Sequence, residues 1–169
     1  MGRALVRSAI GLYVPCDPAD DLSDRAREEP RMSNRVTLIN PTSAPKPGMY
    51  SHVAIAEPGA RIAYVAGQTS VDMNGNPVSP TDISGQIPVV FGHLGKIFTE
   101  LGCDYTDVLQ YTTYLVGTDK REAWQKGRAE LFKTIYPDGK YPPNTLLIVS
   151  GLARAEYLLE ISAIIRLRS

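Results

Sequence analysis

From Val36 onward the chain alternates short runs of β-branched and aromatic residues with two longer stretches whose apolar positions recur every three or four residues. Val36-Thr37-Leu38-Ile39 reads as a first short strand, and the prolines and glycine of the following loop, Asn40 to Gly48, forbid a helix there. His52 to Ala56 reads as a second strand. The turn Glu57-Pro58-Gly59-Ala60 then predicts a hairpin with Arg61 to Thr69 as the partner strand. In that strand Ile62, Tyr64, Ala66 and Gln68 share a face by period-two alternation, and Gly67 interrupts the opposite row. Asp72-Met73-Asn74-Gly75-Asn76-Pro77 is a turn, because Asn-Gly readily supplies positive φ.

A helix follows, capped by Asp82 or Ser84, with Ile87, Val90, Phe91, Leu94, Ile97, Phe98 and Leu101 on its apolar stripe and Gly102 as its stop. Pro88 fits only near the helix start, where its missing N–H is least costly. Val108 to Gly117 reads as a strand and Lys120 to Ile135 as a helix with Trp124, Leu131 and Ile135 on one face. Thr145 to Leu152 and Tyr157 to Arg168 are the last strands. The order strand, strand, strand, helix, strand, helix, strand, strand predicts a two-layer α+β domain, with both helices on one face of a single mixed sheet. In Val108 to Val116 neither alternating row is charged, so the face opposite the helices is expected to be covered by another subunit.

Length and composition narrow the reading. The 169 residues suffice for one well-buried domain. Residues 1–34 are expected to be a flexible arm and 35–169 the domain, because Cys16 to Arg35 is dominated by Asp, Glu, Arg, Pro and Ser; the start of the chain is open between Met1 and Met32. Deleting residues 1–31 is therefore expected to leave the melting temperature within about 2 °C of the full chain in a thermal unfolding scan; a larger drop would place Leu5, Ile10 or Leu12 in the core. Eighteen basic residues balance eighteen acidic ones, so no bulk field favours nucleic acid or an anionic membrane. No apolar run approaches a spanning helix, and two cysteines make neither a disulfide framework nor a metal cluster, which suggests a soluble, cytoplasmic protein.

Several short motifs stand in a telling order: Tyr50-Ser51-His52-Val53-Ala54, Val65-Ala66-Gly67-Gln68, the helix opening at Gln86, Tyr141-Pro142-Pro143-Asn144-Thr145, and Leu159-Glu160-Ile161-Ser162-Ala163-Ile164. This order resembles the reactive intermediate deaminase family, also called the YjgF or RidA-like family, over roughly Val36 to Arg168. The resemblance implies a chorismate-mutase-like fold assembled as a homotrimer, with ligand clefts between neighbouring subunits. It also implies that Glu160 is the pocket acid and catalytic residue, and that Tyr50, Ala66, Gly67 and Asn144 occupy substrate-binding positions. Two of these depart from the family pattern: Asn144 stands where arginine usually grips a substrate carboxylate, and Ala66 where serine is common.

A neutral amide replaces a charge-assisted contact of roughly 1.5 to 3 kcal/mol with one of about 1 kcal/mol, so carboxylate capture should weaken. The expected activity is hydrolysis or tailoring of an imine, enamine or related carbonyl compound rather than of amino-acid-derived 2-aminoacrylate. The alternative is a non-catalytic trimer that binds a metabolite or a protein, and an endoribonuclease, with no basic and aromatic strip to support it, ranks last. For Glu160 the competing role is an ion pair or a solvated strand position, and for Tyr50 a loop anchor. His52 and His93 are possible general bases, but neither has ligand spacing, so structural roles are favoured. No dinucleotide fingerprint, phosphate loop or Cys-x-x-Cys pair is present, so no metal or cofactor is implied.

Overall fold

A computed structural model describes residues 36–168, and the expectations for residues 1–34 lie outside them. The elements are β1 (Thr37–Ile39), β2 (Val53–Ile55), β3 (Ile62–Gln68), α1 (Ile83–Glu100), β4 (Val108–Val116), α2 (Arg121–Ile135), β5 (Asn144–Val149) and β6 (Leu159–Arg166). Four strands form a sheet in the order β3-β6-β4-β5, in which β4 and β5 are parallel and the other pairs antiparallel. It is a mixed sheet with two helices packed on it, the α+β class expected. The predicted single sheet is corrected in one respect: β1 and β2 pair only with each other, as a separate two-stranded ribbon.

The predicted hairpin of β2 with β3 is also corrected. Its turn is present, with Ala60 N–H donating to Glu57 O at 3.2 Å and Gly59 at φ +81°, yet β3 pairs with β6 and the Leu167 N–H reaches Arg61 O at 2.8 Å. The turn joins two sheets instead of two strands of one. A buried charge fixes that corner. Arg166 is fully buried; its Nε donates to both Glu57 carboxylate oxygens at 2.5 and 2.7 Å, and its Nη1 to Asp107 Oδ1 at 3.0 Å.

Helix α1 is capped by Asp82, whose carboxylate accepts from Ser84 N–H at 3.0 Å. It ends in a Schellman motif: Gly102, at φ +70°, donates to Thr99 O at 3.0 Å and Cys103 N–H to Phe98 O at 2.8 Å. Ile87, Val90, Phe91, Leu94 and Phe98 are buried as the stripe predicts, whereas Leu101 is 44% exposed. Gln86 is fully buried. Its side-chain N–H2 donates to Ser79 O and Glu156 O at 3.1 and 2.7 Å, and its oxygen accepts from Leu158 N–H at 2.8 Å, so one amide clasps the helix start to the approach of β6. On α2, Trp124 and Phe132 are buried and Leu131 and Ile135 partly so.

The core lies between the helices and the sheet face carrying Tyr111, Thr113, Leu115, Leu159, Ile161, Ala163 and Ile165. Val108 belongs to this face as well, because a bulge at Leu109 shifts the register between Val108 and Gln110. The other face carries Gln110, Thr112 and Tyr114 opposite Ile164, Ser162 and Glu160. No helix covers it among the described residues, and Tyr64 on its edge strand is 81% exposed.

Candidate functional site

Five residues stand out from the sequence, and the structure sorts them into two places. Tyr50 and Asn144 line one cavity of about 490 Å³ together with His52, Gln110, Thr145 and Ile164. Ala66, Gly67 and Glu160 do not line it. The cavity sits where the start of β2 approaches the beginnings of β4 and β5, and its volume falls in the range of small-molecule pockets.

Asn144 opens β5 opposite Tyr111 and accepts at its Oδ1 a hydrogen bond of 2.8 Å from the hydroxyl of Thr113. Thr113 is buried, so this bond holds the Asn144 side chain against the face of β4 that also carries Tyr111. The parallel pairing with β4 is what places the two residues together, 31 positions apart in sequence.

Tyr50 is 37% exposed and packs edge-on to His52, with ring centroids 5.5 Å apart. His52 ties down the proline-containing loop: its backbone N–H donates to Asn40 Oδ1 at 2.9 Å and its Nε2 lies 2.7 Å from Pro45 O. A carbonyl oxygen can only accept, so in the neutral ring Nε2 carries the proton and Nδ1 keeps its lone pair.

Glu160 and Gly67 meet across the β3–β6 pair. Val65 faces Ala163 and Gln68 faces Ile161, so Ala66 and Gly67 together oppose Ser162 in a β-bulge. The bulge moves Gln68 off the face it shares in simple alternation with Ile62 and Tyr64, which corrects that expectation. The Gln68 side chain donates to Ala66 O and Gly67 O at 3.1 and 3.3 Å and so supports the bulge. A Cβ added at Gly67 would lie 2.7 Å from Glu160 Cδ and overlap the carboxylate; the glycine makes room for the acid.

Gln110, Thr145 and Thr113 were not singled out from the sequence. Thr145 follows Asn144 directly, and Gln110 is the one amide in an otherwise apolar, hydroxyl and aromatic strand, which is the available signal. His52 was singled out, with a structural role favoured; it has such a role and lines the cavity too. His93 lies on α1 and does not line the cavity. Among the described residues no group of three or more His, Cys, Asp or Glu side chains is arranged to hold a metal, and no helix is long and apolar enough to cross a membrane.

Two helices on a mixed sheet, with a cavity at the sheet's end, define an α+β domain. The chain belongs to the reactive intermediate deaminase (Rid/YjgF) family: the profile of the family described as Endoribonuclease L-PSP matches residues 41–167. A rat (Rattus norvegicus) relative, 2-iminobutanoate/2-iminopropanoate deaminase, is 27% identical over 128 residues, covering 75% of this chain and 87% of that protein. The Rid family protein YyfB of Yersinia pestis superposes with a TM-score of 0.69 at 28% identity, covering 80% of this chain and 100% of that one. TdcF of E. coli, solved with bound serine, shares the fold with a TM-score of 0.56 at 21% identity, over 79% of this chain and 99% of its own.

Proposed function

We propose that this protein is a RidA-like hydrolase or tailoring enzyme that acts on an imine, enamine or related carbonyl compound in a cleft between subunits of a homotrimer, and that 2-aminoacrylate from ordinary amino acids is a poor substrate. The observation that carries the reading is the separation of the candidate residues. One chain brings Tyr50 and Asn144 into a cavity without a carboxylate, and holds Glu160 against Gly67 outside that cavity. Apposing the Glu160 surface of one subunit to the Asn144 cavity of its neighbour would complete a site with binding groups and a proton-moving group. The uncovered sheet face, with Tyr64, Ile62 and Leu147 exposed, supports such an assembly.

In this reading the Glu160 carboxylate takes a proton from water as the water oxygen adds to the imine carbon. The nitrogen is then protonated, the C–N bond breaks, and ammonia leaves behind a ketone, so that imine plus water gives carbonyl plus ammonia. The non-catalytic alternative is favoured by the packing of Glu160 against the β3 bulge, a place a merely structural acid would also take.

Ammonia release from freshly generated neutral imines, measured beside light scattering, separates the readings. Expected are a trimer and a turnover that falls by about a hundredfold or more in Glu160→Ala. A stable monomer at micromolar concentration would refute the intersubunit cleft, and turnover unchanged in Glu160→Ala would refute the role of the acid.

A further inference from the structure

We propose that His52 is a second proton-moving residue of the cavity: its Nδ1 accepts the hydroxyl proton of the carbinolamine as the C–N bond breaks and passes it to the departing nitrogen. This rests on the hydrolase reading above and goes beyond it by assigning a residue to the second proton transfer.

The ring is held at one nitrogen and bare at the other. Its Nε2–H donates to Pro45 O at 2.7 Å, so the neutral ring keeps its lone pair at Nδ1. Nδ1 has no hydrogen-bond partner among the described residues and is not a buried atom, so solvent reaches it. His52 lines the cavity and Pro45 does not, so the engaged nitrogen serves the loop and the bare one is left for a ligand. The Tyr50 ring, packed edge-on against His52, lines the same cavity. No Asp, Glu, Lys or Arg is among the described residues lining it, and His52 carries the one basic nitrogen there. The bond to a carbonyl fixes both tautomer and ring orientation, and it strengthens when the ring becomes an imidazolium, so the anchor holds through a proton transfer.

Hydrolysis of an imine moves two protons from oxygen to nitrogen. The first leaves the water that adds to the carbon, in the step given to Glu160, and yields a carbinolamine with a hydroxyl and an amino group on one carbon. The second leaves that hydroxyl. Nδ1 takes it as the oxygen closes the C=O bond and the C–N electron pair goes to nitrogen; the imidazolium returns the proton to that nitrogen, which departs as ammonia. His52 ends neutral, and the carbinolamine has become a carbonyl compound plus ammonia.

His52→Gln in the full-length protein tests this, since a glutamine amide still donates to Pro45 O but has no basic nitrogen. With freshly generated neutral imines, kcat is expected to fall about a hundredfold while KM stays within about twofold of wild type. In His52→Ala, which vacates the place of the ring, added imidazole should raise the rate about tenfold or more, and in His52→Gln it should not. A second measurement needs no variant. Diethyl pyrocarbonate acylates an unprotonated imidazole nitrogen, and His52 and His93 are the only histidines of the chain. Mass spectrometry of labelled wild type should find the acyl group on His52, and turnover should fall in proportion to it. An unlabelled His52, turnover retained once it is acylated, a His52→Gln rate within about twofold of wild type, or a His52→Ala rate that imidazole leaves unchanged would each overturn the proposal. A wild type labelled at His52 that hydrolyses no imine would refute the hydrolase reading and this step with it, whereas wild-type turnover that His52→Gln leaves intact would refute this inference alone.

Discussion

Asp107→Ala is expected to lower the unfolding free energy by about 3 to 5 kcal/mol, because it leaves the fully buried Arg166 guanidinium short of a charge partner. Asp107 is itself only 1% exposed and works at both oxygens: one accepts from Arg166, and the other from Asp104 N–H at 2.9 Å and from Arg168 at 2.7 Å. Removing it also strips partners from the end of β6 and the turn before β4. Glu57→Ala should cost much less, since the Glu57 side chain is 39% exposed and water can take its place. Urea denaturation of the two variants checks the order; equal losses, or a loss below about 1 kcal/mol for Asp107→Ala, would show that Arg166 is not the keystone of this corner.

Acid should loosen the same corner. Burial pulls the Asp104 carboxyl upward, but hydrogen bonds from the Thr106 hydroxyl and the Arg168 guanidinium outweigh it and hold its pKa below the ordinary 3.8. Glu57 is held below its ordinary 4.5 first by its own backbone N–H and then by Arg166. For carboxylates depressed in the folded state, the stabilisation is complete above the ordinary value and disappears as pH falls through the lowered one. Melting temperature should therefore decline below about pH 4, and less steeply in Glu57→Gln.

The same corner explains where the sequence was legible and where it was not. The stripe on α1 was readable because its period depends only on residues a few positions apart, and the Asp82 cap and Gly102 stop are equally local. Gln86 escaped the stripe because it is polar, and its burial depends on carbonyl and N–H partners 70 and 72 residues away. The turn at Glu57-Pro58-Gly59-Ala60 was read correctly as a turn and wrongly as a hairpin, since turn chemistry sets the direction of the chain but not the strand it will pair with. Bulges at Leu109 and at Ala66-Gly67 displaced Val108 and Gln68 from the rows that strict alternation assigns them. At the candidate site, the motifs marked Tyr50, Asn144, Gly67 and Glu160, while the split into two groups and the contact of Asn144 with Thr113 depend on strand pairing that no local pattern encodes.

Asn144→Arg is expected to raise hydrolysis of amino-acid-derived imines such as 2-aminoacrylate. Replacing a neutral hydrogen bond by a charge-assisted, bidentate one is worth about 1 to 2 kcal/mol, or roughly five- to thirtyfold in kcat/KM where the contact is kept in the transition state. The cavity lining offers no cation among the described residues, so the introduced guanidinium would meet a substrate carboxylate without a competing positive charge. Thr113 on β4 still supplies a hydroxyl beside Asn144 that can accept from the new side chain and help to orient it. The gain should vanish when Glu160→Ala is added, because the arginine binds and the carboxylate moves protons. Strong wild-type turnover of 2-aminoacrylate that survives Glu160→Ala would overturn both assignments. A gain in Asn144→Arg that persists without Glu160 would instead place the proton-moving group elsewhere, and would direct attention to the bare Nδ1 of His52 within the same cavity.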